Sequence, residues 1–408
     1  MKYVKYIILI PVLIVLANGL TSKNAPKEKS AQGEIIDVAS ILQKAEKQLA
    51  LQKSQAKREN KIPRTVTQSG SMHWANSDFD WTEGFFPGSC WYMYEATNNE
   101  EWKNAAKKFQ NLFELHKYIT TNHDLGFVFN CSFGNAYRLT KDTVYKQVLI
   151  EAANSLSTRF NSSVGCLKSW DVNNGWQSKR NWKFPVIIDN MMNLELLFKA
   201  SELTGNDKYR NIAITHANTT VVNHFREDHS SYHVVDYDPK TGGVRSKQTA
   251  QGFADGSSWA RGQAWGLYGY TVCYRFTKDK TYLEQAKKIV RYIIENKGIP
   301  KDGIPYWDYD ADKVPNEPRD ASAAAITLSA LIELDGYTSQ SYLPVINKLF
   351  KSLASDHYTA KIGDNQNFIL MHSVGSIPHA QEIDVPLSYA DYYYLEALVR
   401  YKNRYNKY

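Results

Sequence analysis

Cysteine is scarce: four residues in 408, with no two spaced Cys-x-x-Cys. That excludes a disulfide scaffold and a cysteine-based zinc site, which need dense or closely paired cysteines. No block of Lys or Arg gathers the net charge of +7 into a patch, so nucleic acid is not an expected partner. The phosphate-binding loop, the dinucleotide fingerprint and the Gly-x-Ser-x-Gly elbow are all missing. No His-x-x-x-His or Glu-x-x-His pair falls on a predicted helix, so neither a metal nor a cofactor is expected. Long apolar runs are limited to the stretch from Tyr6 to Leu16, which is short for a bilayer span.

That stretch follows Lys2 and Lys5 and precedes Ala17-Asn18-Gly19. A charged, then apolar, then small-residue order reads as a signal peptide over 1–20. Residues 21–33 read as a polar leader, and 34–408 as a single domain. The expectation is an exported protein, periplasmic or secreted, with no stable membrane anchor, since no lipidation Cys follows the run.

Aromatic residues are abundant at 13%, which excludes a mostly disordered chain. Many mark a repeat. A turn rich in Asp, Asn and Lys leads to Trp102, Tyr145, Tyr209, Tyr282 or Tyr342, and each aromatic opens an amphipathic run. After Tyr282, apolar residues at Leu283, Ala286, Ile289, Val290, Ile293 and Ile294 fall at three and four spacing, one face of a helix. A more polar run over 34–57 is the first member. Each amphipathic run is followed by one that is apolar around its circumference: 86–96, 125–139, 187–203, 260–276, 321–334 and 385–401. Six amphipathic and six buried helices in alternation predict an all-α fold, the closed (α/α)6 barrel, with an open helical solenoid as the competing arrangement. Long insertions at 161–186, 227–259, 297–320 and 356–383 are expected to build a site on this scaffold.

The buried helices begin beside conspicuous residues: Asp80-Trp81-Thr82-Glu83, His123-Asp124, Asp189-Asn190, Trp259-Ala260-Arg261, Arg319-Asp320, and Glu382 with Asp384. In a ring of antiparallel hairpins these clusters share one mouth. Asp at a helix start is commonly an N-cap, and a capping or structural role is expected of Asp320 and Asp384. Asp189 sits among apolar residues in Phe184-Pro-Val-Ile-Ile-Asp-Asn-Met-Met192, where desolvation raises a carboxyl pKa and the helix N-terminus lowers it. Asp189 and Asp124 are therefore candidate catalytic carboxylates. Trp81, Trp170, Trp176, Trp182, Trp259, Trp265 and Trp307 are candidate sugar platforms, whereas Trp91 is expected in the core.

The stretches Trp81-Thr-Glu-Gly-Phe-Phe-Pro-Gly88, His123-Asp-Leu-Gly-Phe127, Ile188-Asp-Asn-Met-Met-Asn193 and Gln251-Gly-Phe-Ala-Asp-Gly-Ser-Ser-Trp-Ala-Arg-Gly-Gln-Ala-Trp265 resemble glycoside hydrolase family 88, the unsaturated glucuronyl hydrolases, over roughly 35–405. The resemblance implies an (α/α)6 barrel. It implies Asp189 as general acid/base and Asp124 as a second essential carboxylate. It further implies Trp81, His123, His233, Gln251, Arg261 and Trp265 around the sugar, with Arg261 as a carboxylate or hydroxyl clamp.

The implied reaction is hydration of the C4=C5 vinyl ether in a 4,5-unsaturated uronic acid, at the non-reducing end of lyase-generated oligosaccharides. Unsaturated chondroitin, hyaluronan and heparin disaccharides are the expected substrates. Alternatives are an unsaturated rhamnogalacturonyl hydrolase acting on pectin fragments and a non-catalytic sugar-binding barrel. One departure stands out. Some members carry Ser-x-x-Ser-x-Lys against a substrate sulfate, and here the stretch reads Ser373-Val-Gly-Ser376-Ile-Pro378.

Overall fold

The computed structural model describes Met1 and residues 36–405. The expected signal peptide and leader therefore lie, Met1 apart, outside the described residues. The chain divides after Gly33, and everything below belongs to the unit Glu34–Tyr408.

Twelve α-helices are described: α1 (Val38–Glu59), α2 (Phe85–Thr97), α3 (Glu100–Gln110), α4 (Asn135–Thr140), α5 (Thr143–Ser157), α6 (Leu194–Thr204), α7 (Asp207–Asn223), α8 (Ala260–Thr277), α9 (Lys280–Glu295), α10 (Ala321–Asp335), α11 (Leu343–Leu353) and α12 (Ser388–Tyr405). A π-helical segment, Gly126–Gly134, runs into α4, and a 3-10 turn, Ile188–Asn193, runs into α6. The even-numbered helices, with the π-helical segment that leads into α4, form an inner ring in which neighbours pack in order: that segment bridges α2 and α6, and α12 returns onto α2. The ring closes, so the barrel reading holds over the open solenoid.

The repeat in the sequence has a local cause. Four inner helices end on a left-handed residue: Asn98, Lys141, Gly205 and Lys278, with φ of 56°, 58°, 70° and 59°. The very next residue, Asn99, Asp142, Asn206 or Asp279, caps the following outer helix, its side chain accepting a backbone N–H two residues on. Each such cap is worth about 1 kcal/mol. Three residues past the cap, Trp102, Tyr145, Tyr209 and Tyr282 turn inward and are buried. A two-residue reversal followed by an inward aromatic is thus the unit that stacks hairpin on hairpin. Within the ring, Gly88 of α2 leaves no room for a Cβ, which would stand 2.6 Å from the Cys131 carbonyl and 2.5 Å from the Tyr392 ring.

The insertions fold into small antiparallel sheets. These are β1 (Pro63–Val66) with β2 (Met72–Trp74), β3 (Phe160–Asn161) with β4 (Cys166–Leu167), the three-stranded β5 (Phe184–Ile187), β6 (Val234–Tyr237) and β7 (Val244–Gln248), and β8 (Ser373–Ser376) with β9 (Gln381–Val385). One sequence expectation is corrected here, and one is narrowed to its structural alternative. The last inner helix begins at Ser388 rather than Val385, because Pro386 has no N–H to give and holds Val385 extended at the end of β9. Asp384 consequently caps no helix; its carboxylate meets His372 Nδ1 at 2.6 Å. Asp320 does cap α10, accepting from Ser322 and Ala323.

Candidate active site

All inner helices run the same way, so the residues before their first turns share one mouth of the barrel. Two of these residues are the carboxylates. Asp124 precedes the π-helical segment, and Asp189 sits in the 3-10 turn that links β5 to α6. Both are nearly buried, at 9% and 8% exposure.

The three-stranded sheet places the partner of Asp189. Pairing of Ile187 with Val234 and an N–H of Ile188 donated to the His233 carbonyl bring the His233 ring beside the acid. His233 Nε2 stands 3.7 Å from Asp189 Oδ2. Its Nδ1 accepts the N–H groups of Ala250 and Gln251, both at 3.1 Å. Burial and the Arg261 charge hold His233 well below its ordinary pKa, so the ring is neutral, with its hydrogen on Nε2 facing Asp189. Burial raises the Asp189 pKa to about 7 against the opposing pull of Arg261, its own backbone N–H and the Trp265 indole N–H. Burial, and then the charge of Asp189, raise Asp124 well above the carboxylate range, while Arg159 lowers it. Two buried carboxyls that resist ionisation near neutral pH can donate a proton.

A second mark of the site is a concentration of buried polar atoms with no hydrogen-bond partner among the described residues. His123 Nε2, Asp189 Oδ2, His233 Nε2, Trp259 Nε1, Arg261 Nε, Trp265 Nε1 and Tyr389 Oη are among them. Such atoms are costly in a core that excludes both water and ligand. At one mouth they form a set that a hydroxylated ligand can complete.

The remaining expected residues fall around this pair. Trp81 is half-buried against Phe85, Phe127 and Tyr389. Gln251 Nε2 donates to the Gly375 carbonyl at 3.2 Å. Two residues differ in task from the sequence reading. Arg261 is not an open clamp: it is buried, its Nη1 donates to Asp320 at 3.2 Å and to the Val374 carbonyl, and its Nη2 donates to the Gly375 carbonyl at 2.7 Å. It ties α8, α10 and the β8–β9 hairpin together and sets the potential at Asp189. Trp265 presents no ring face to a ligand; it is packed between Phe127 and Tyr393. A half-buried aromatic wall lies further out, where Trp170 stands 6.1 Å from the His233 ring and continues through Trp176 to His379.

Sequence reasoning missed Tyr389, whose ring lies 5.4 Å from the Arg261 guanidinium, and Asn190, Asn193 and Arg159 behind the carboxylates. Tyr389 is one of 27 tyrosines, and nothing in its neighbourhood distinguished it. A cavity of about 620 Å³ opens at the opposite mouth. There Arg275 and Arg400 are paired with Glu195, Glu333 and Glu396. With Lys199 on Glu195 and Arg138 on Glu95, each glutamate lining this cavity has a cationic partner among the described residues.

A closed (α/α)6 barrel with two protonatable carboxyls and an aromatic wall at one mouth suits acid-catalysed chemistry on a sugar, and its relatives make it a glycoside hydrolase. The family model for Glycosyl Hydrolase Family 88 matches residues 53–404. The chain is 46% identical to an unsaturated glucuronyl hydrolase of Formosa agariphila, over 84% of this chain and 85% of that protein. It is 31% identical to an unsaturated chondroitin disaccharide hydrolase of Streptococcus agalactiae, over 90% and 92%. Among solved structures, the crystal structure of an unsaturated glucuronyl hydrolase specific for heparin superposes with a TM-score of 0.84 at 45% identity, covering 89% of this chain and 97% of that one. The chain belongs to glycosyl hydrolase family 88.

Proposed function

We propose that this protein hydrates the C4=C5 bond of a 4,5-unsaturated uronic acid at the non-reducing end of glycosaminoglycan-derived oligosaccharides, with Asp189 as acid and then base. The observation that carries the assignment is the Asp189 carboxyl itself: buried, with Oδ2 unpaired, facing the Nε2–H of neutral His233, and raised to about 7. A vinyl ether is protonated at the carbon remote from its oxygen, so the Asp189 proton goes to C4 and positive charge develops at C5 and the ring oxygen. Water bonds to C5 and returns a proton to the Asp189 carboxylate. The hemiketal so formed opens at the C5–O bond, giving a ketone at C5 and a hemiacetal at C1. The hemiacetal expels the neighbouring sugar and becomes an aldehyde. No glycosyl ester forms, so the distance rule separating retaining from inverting glycosidases does not apply. Asp124, kept neutral by burial and by the charge of Asp189, binds the sugar hydroxyls, and Trp81 and Gln251 border the ring.

The related activities named for the Formosa and Streptococcus proteins support this substrate class. We also propose export to the periplasm or beyond, on the charged, apolar and small-residue order of residues 1–20. N-terminal sequencing of the mature protein tests it.

The conjugated double bond absorbs in the ultraviolet and is lost on hydration. Wild-type protein is expected to bleach unsaturated chondroitin, hyaluronan or heparin disaccharides, and Asp189→Asn to leave the signal intact. Full activity in Asp189→Asn overturns the assignment.

A further inference from the structure

The neighbour of the second carboxylate carries an arrangement parallel to that of the first. His123 Nε2 stands 3.4 Å from Asp124 Oδ1, as His233 Nε2 faces Asp189. In the His233 pair two backbone N–H groups dictate which ring nitrogen bears the hydrogen. In the His123 pair no backbone group does so; the ring meets two amide side chains, Asn190 and Asn193, and the contact to Nδ1 is that of Asn193, whose Nδ2 lies 3.3 Å away.

An amide can face a ring with either its oxygen or its nitrogen, so the direction must be fixed by something else. Here it is fixed by Phe127. Its backbone N–H, at the start of the π-helical segment and without a helical acceptor, donates to Asn193 Oδ1 at 3.1 Å. The Asn193 oxygen is thereby committed, its nitrogen is the group directed at His123, and His123 Nδ1 must accept. The ring hydrogen is left on Nε2, toward Asp124. Asn193 Nδ2 also reaches Asn190 Oδ1 at 3.3 Å, and Asn190 is in turn held by the Leu167 carbonyl at 2.9 Å. The sequence makes room for this contact. A Cβ on Gly126 would lie 2.3 Å from Asn193 Cα and 2.6 Å from its Oδ1. Ring and amide are both fully buried, so no water competes for the choice.

We infer that Asn193 is a positioning residue: by reading its orientation from the Phe127 N–H, it holds His123 as the Nε2–H tautomer, which offers a hydrogen to Asp124. The inference rests on the reading of Asp124 as the second essential carboxylate. It makes both histidines of the site fixed donors to a carboxyl rather than bases, one set by backbone and the other by a side chain lent from the neighbouring helix start.

The test uses the full chain labelled with 15N-histidine. The His123 signals are assigned by their loss in His123→Gln, and the ring nitrogens report the tautomer directly. Wild type at neutral pH is expected to show Nε2–H at His123; an Nδ1–H ring or an imidazolium overturns the inference without any variant. Asn193→Asp keeps the shape and the acceptor for Phe127 but replaces the donor facing His123. It is expected to move the His123 hydrogen to Nδ1 and to lower kcat/KM on the order of 10²-fold, the scale of a misplaced catalytic group. Wild-type kcat/KM with an unmoved tautomer in Asn193→Asp overturns the inference. Asp124→Asn, assayed alongside, separates the two readings. If it is inactive while Asn193→Asp is fully active, the positioning role fails and the essential carboxylate stands. If Asp124→Asn is itself fully active, the underlying reading fails.

Discussion

His233 Nε2 stands 3.7 Å from Asp189 Oδ2, while its Nδ1 is taken by two backbone N–H groups. The histidine therefore cannot remove the acid's proton; it can only offer a hydrogen to it. Catalytic hydrogen bonds of ligand-free sites are commonly long and shorten when substrate binds. The proton delivered to C4 has to come from the carboxyl, which carries it below its pKa of about 7 and loses it above. Initial rates across pH should therefore show kcat/KM falling as pH rises through about 7. A profile that climbs through this range would mean that the essential form of Asp189 is the carboxylate.

The same shift has a consequence for stability. Asp189 binds its proton more tightly folded than unfolded, its pKa rising from 3.8 to about 7. Between those values the folded state holds more protons, so this group's contribution to stability falls as pH rises and is least favourable above about 7. Asp189→Asn removes the buried charge. The variant should unfold at higher denaturant than wild type at pH 8, with the gap closing toward pH 5. Asp391 has the same raised value, about 7, but its carboxyl accepts the N–H groups of Ile369 and Leu370, so Asp391→Asn should lose stability at both pH values. Paired urea titrations at the two pH values distinguish an acid strained for function from one that serves structure.

Arg261 supports a prediction about folding more than about binding. Its guanidinium is buried with Asp320, which caps α10, and with two carbonyls of the β8–β9 hairpin. Removing one partner of a buried pair leaves the other charge uncompensated, at a cost of about 3–5 kcal/mol. Arg261→Met should destabilise by about that amount in urea unfolding, whereas Gln251→Ala, at the half-buried rim, should cost under about 1 kcal/mol.

The parts of this molecule that could be read from its sequence are those with local causes. The pairs Asn98-Asn99, Lys141-Asp142, Gly205-Asn206 and Lys278-Asp279 each encode a left-handed stop and a helix cap, and the aromatic three residues on turns inward. From these the alternation of outer and inner helices, and hence the shared mouth, followed. What could not be read depends on contacts between distant segments. The β5–β6 register that brings His233 to Asp189 joins residues far apart in the chain. The engagement of Arg261 with Val374 and Gly375 spans more than a hundred positions, and no local signal separates a buried brace from an open clamp. The start of α12 was misplaced because the pattern of apolar residues runs on through Pro386 into β9.

The β8–β9 hairpin borders the site through Gly375, which accepts from Gln251 and Arg261, and through His379, 4.8 Å from Trp176. Where some family members resemble one another in carrying a lysine two residues after the second serine, this chain has exposed Pro378. The adjacent His379 does not replace that charge. Ser376 Oγ holds its Nδ1 at 2.7 Å, and burial together with Arg180 keeps its pKa below the usual value, so it is neutral at neutral pH. Position 378 therefore offers no fixed cation to a sulfate group, and wild type should show no advantage for a 6-sulfated unsaturated chondroitin disaccharide over the unsulfated one. A new charge-assisted hydrogen bond contributes about 1.5–3 kcal/mol, so Pro378→Lys should lower KM for the sulfated disaccharide by about tenfold or more. The unsulfated substrate makes no such bond, and its KM should stay where it was. Steady-state kinetics on the two disaccharides decide the matter: equal effects on both, or none, would place the sulfate of a bound substrate away from this hairpin.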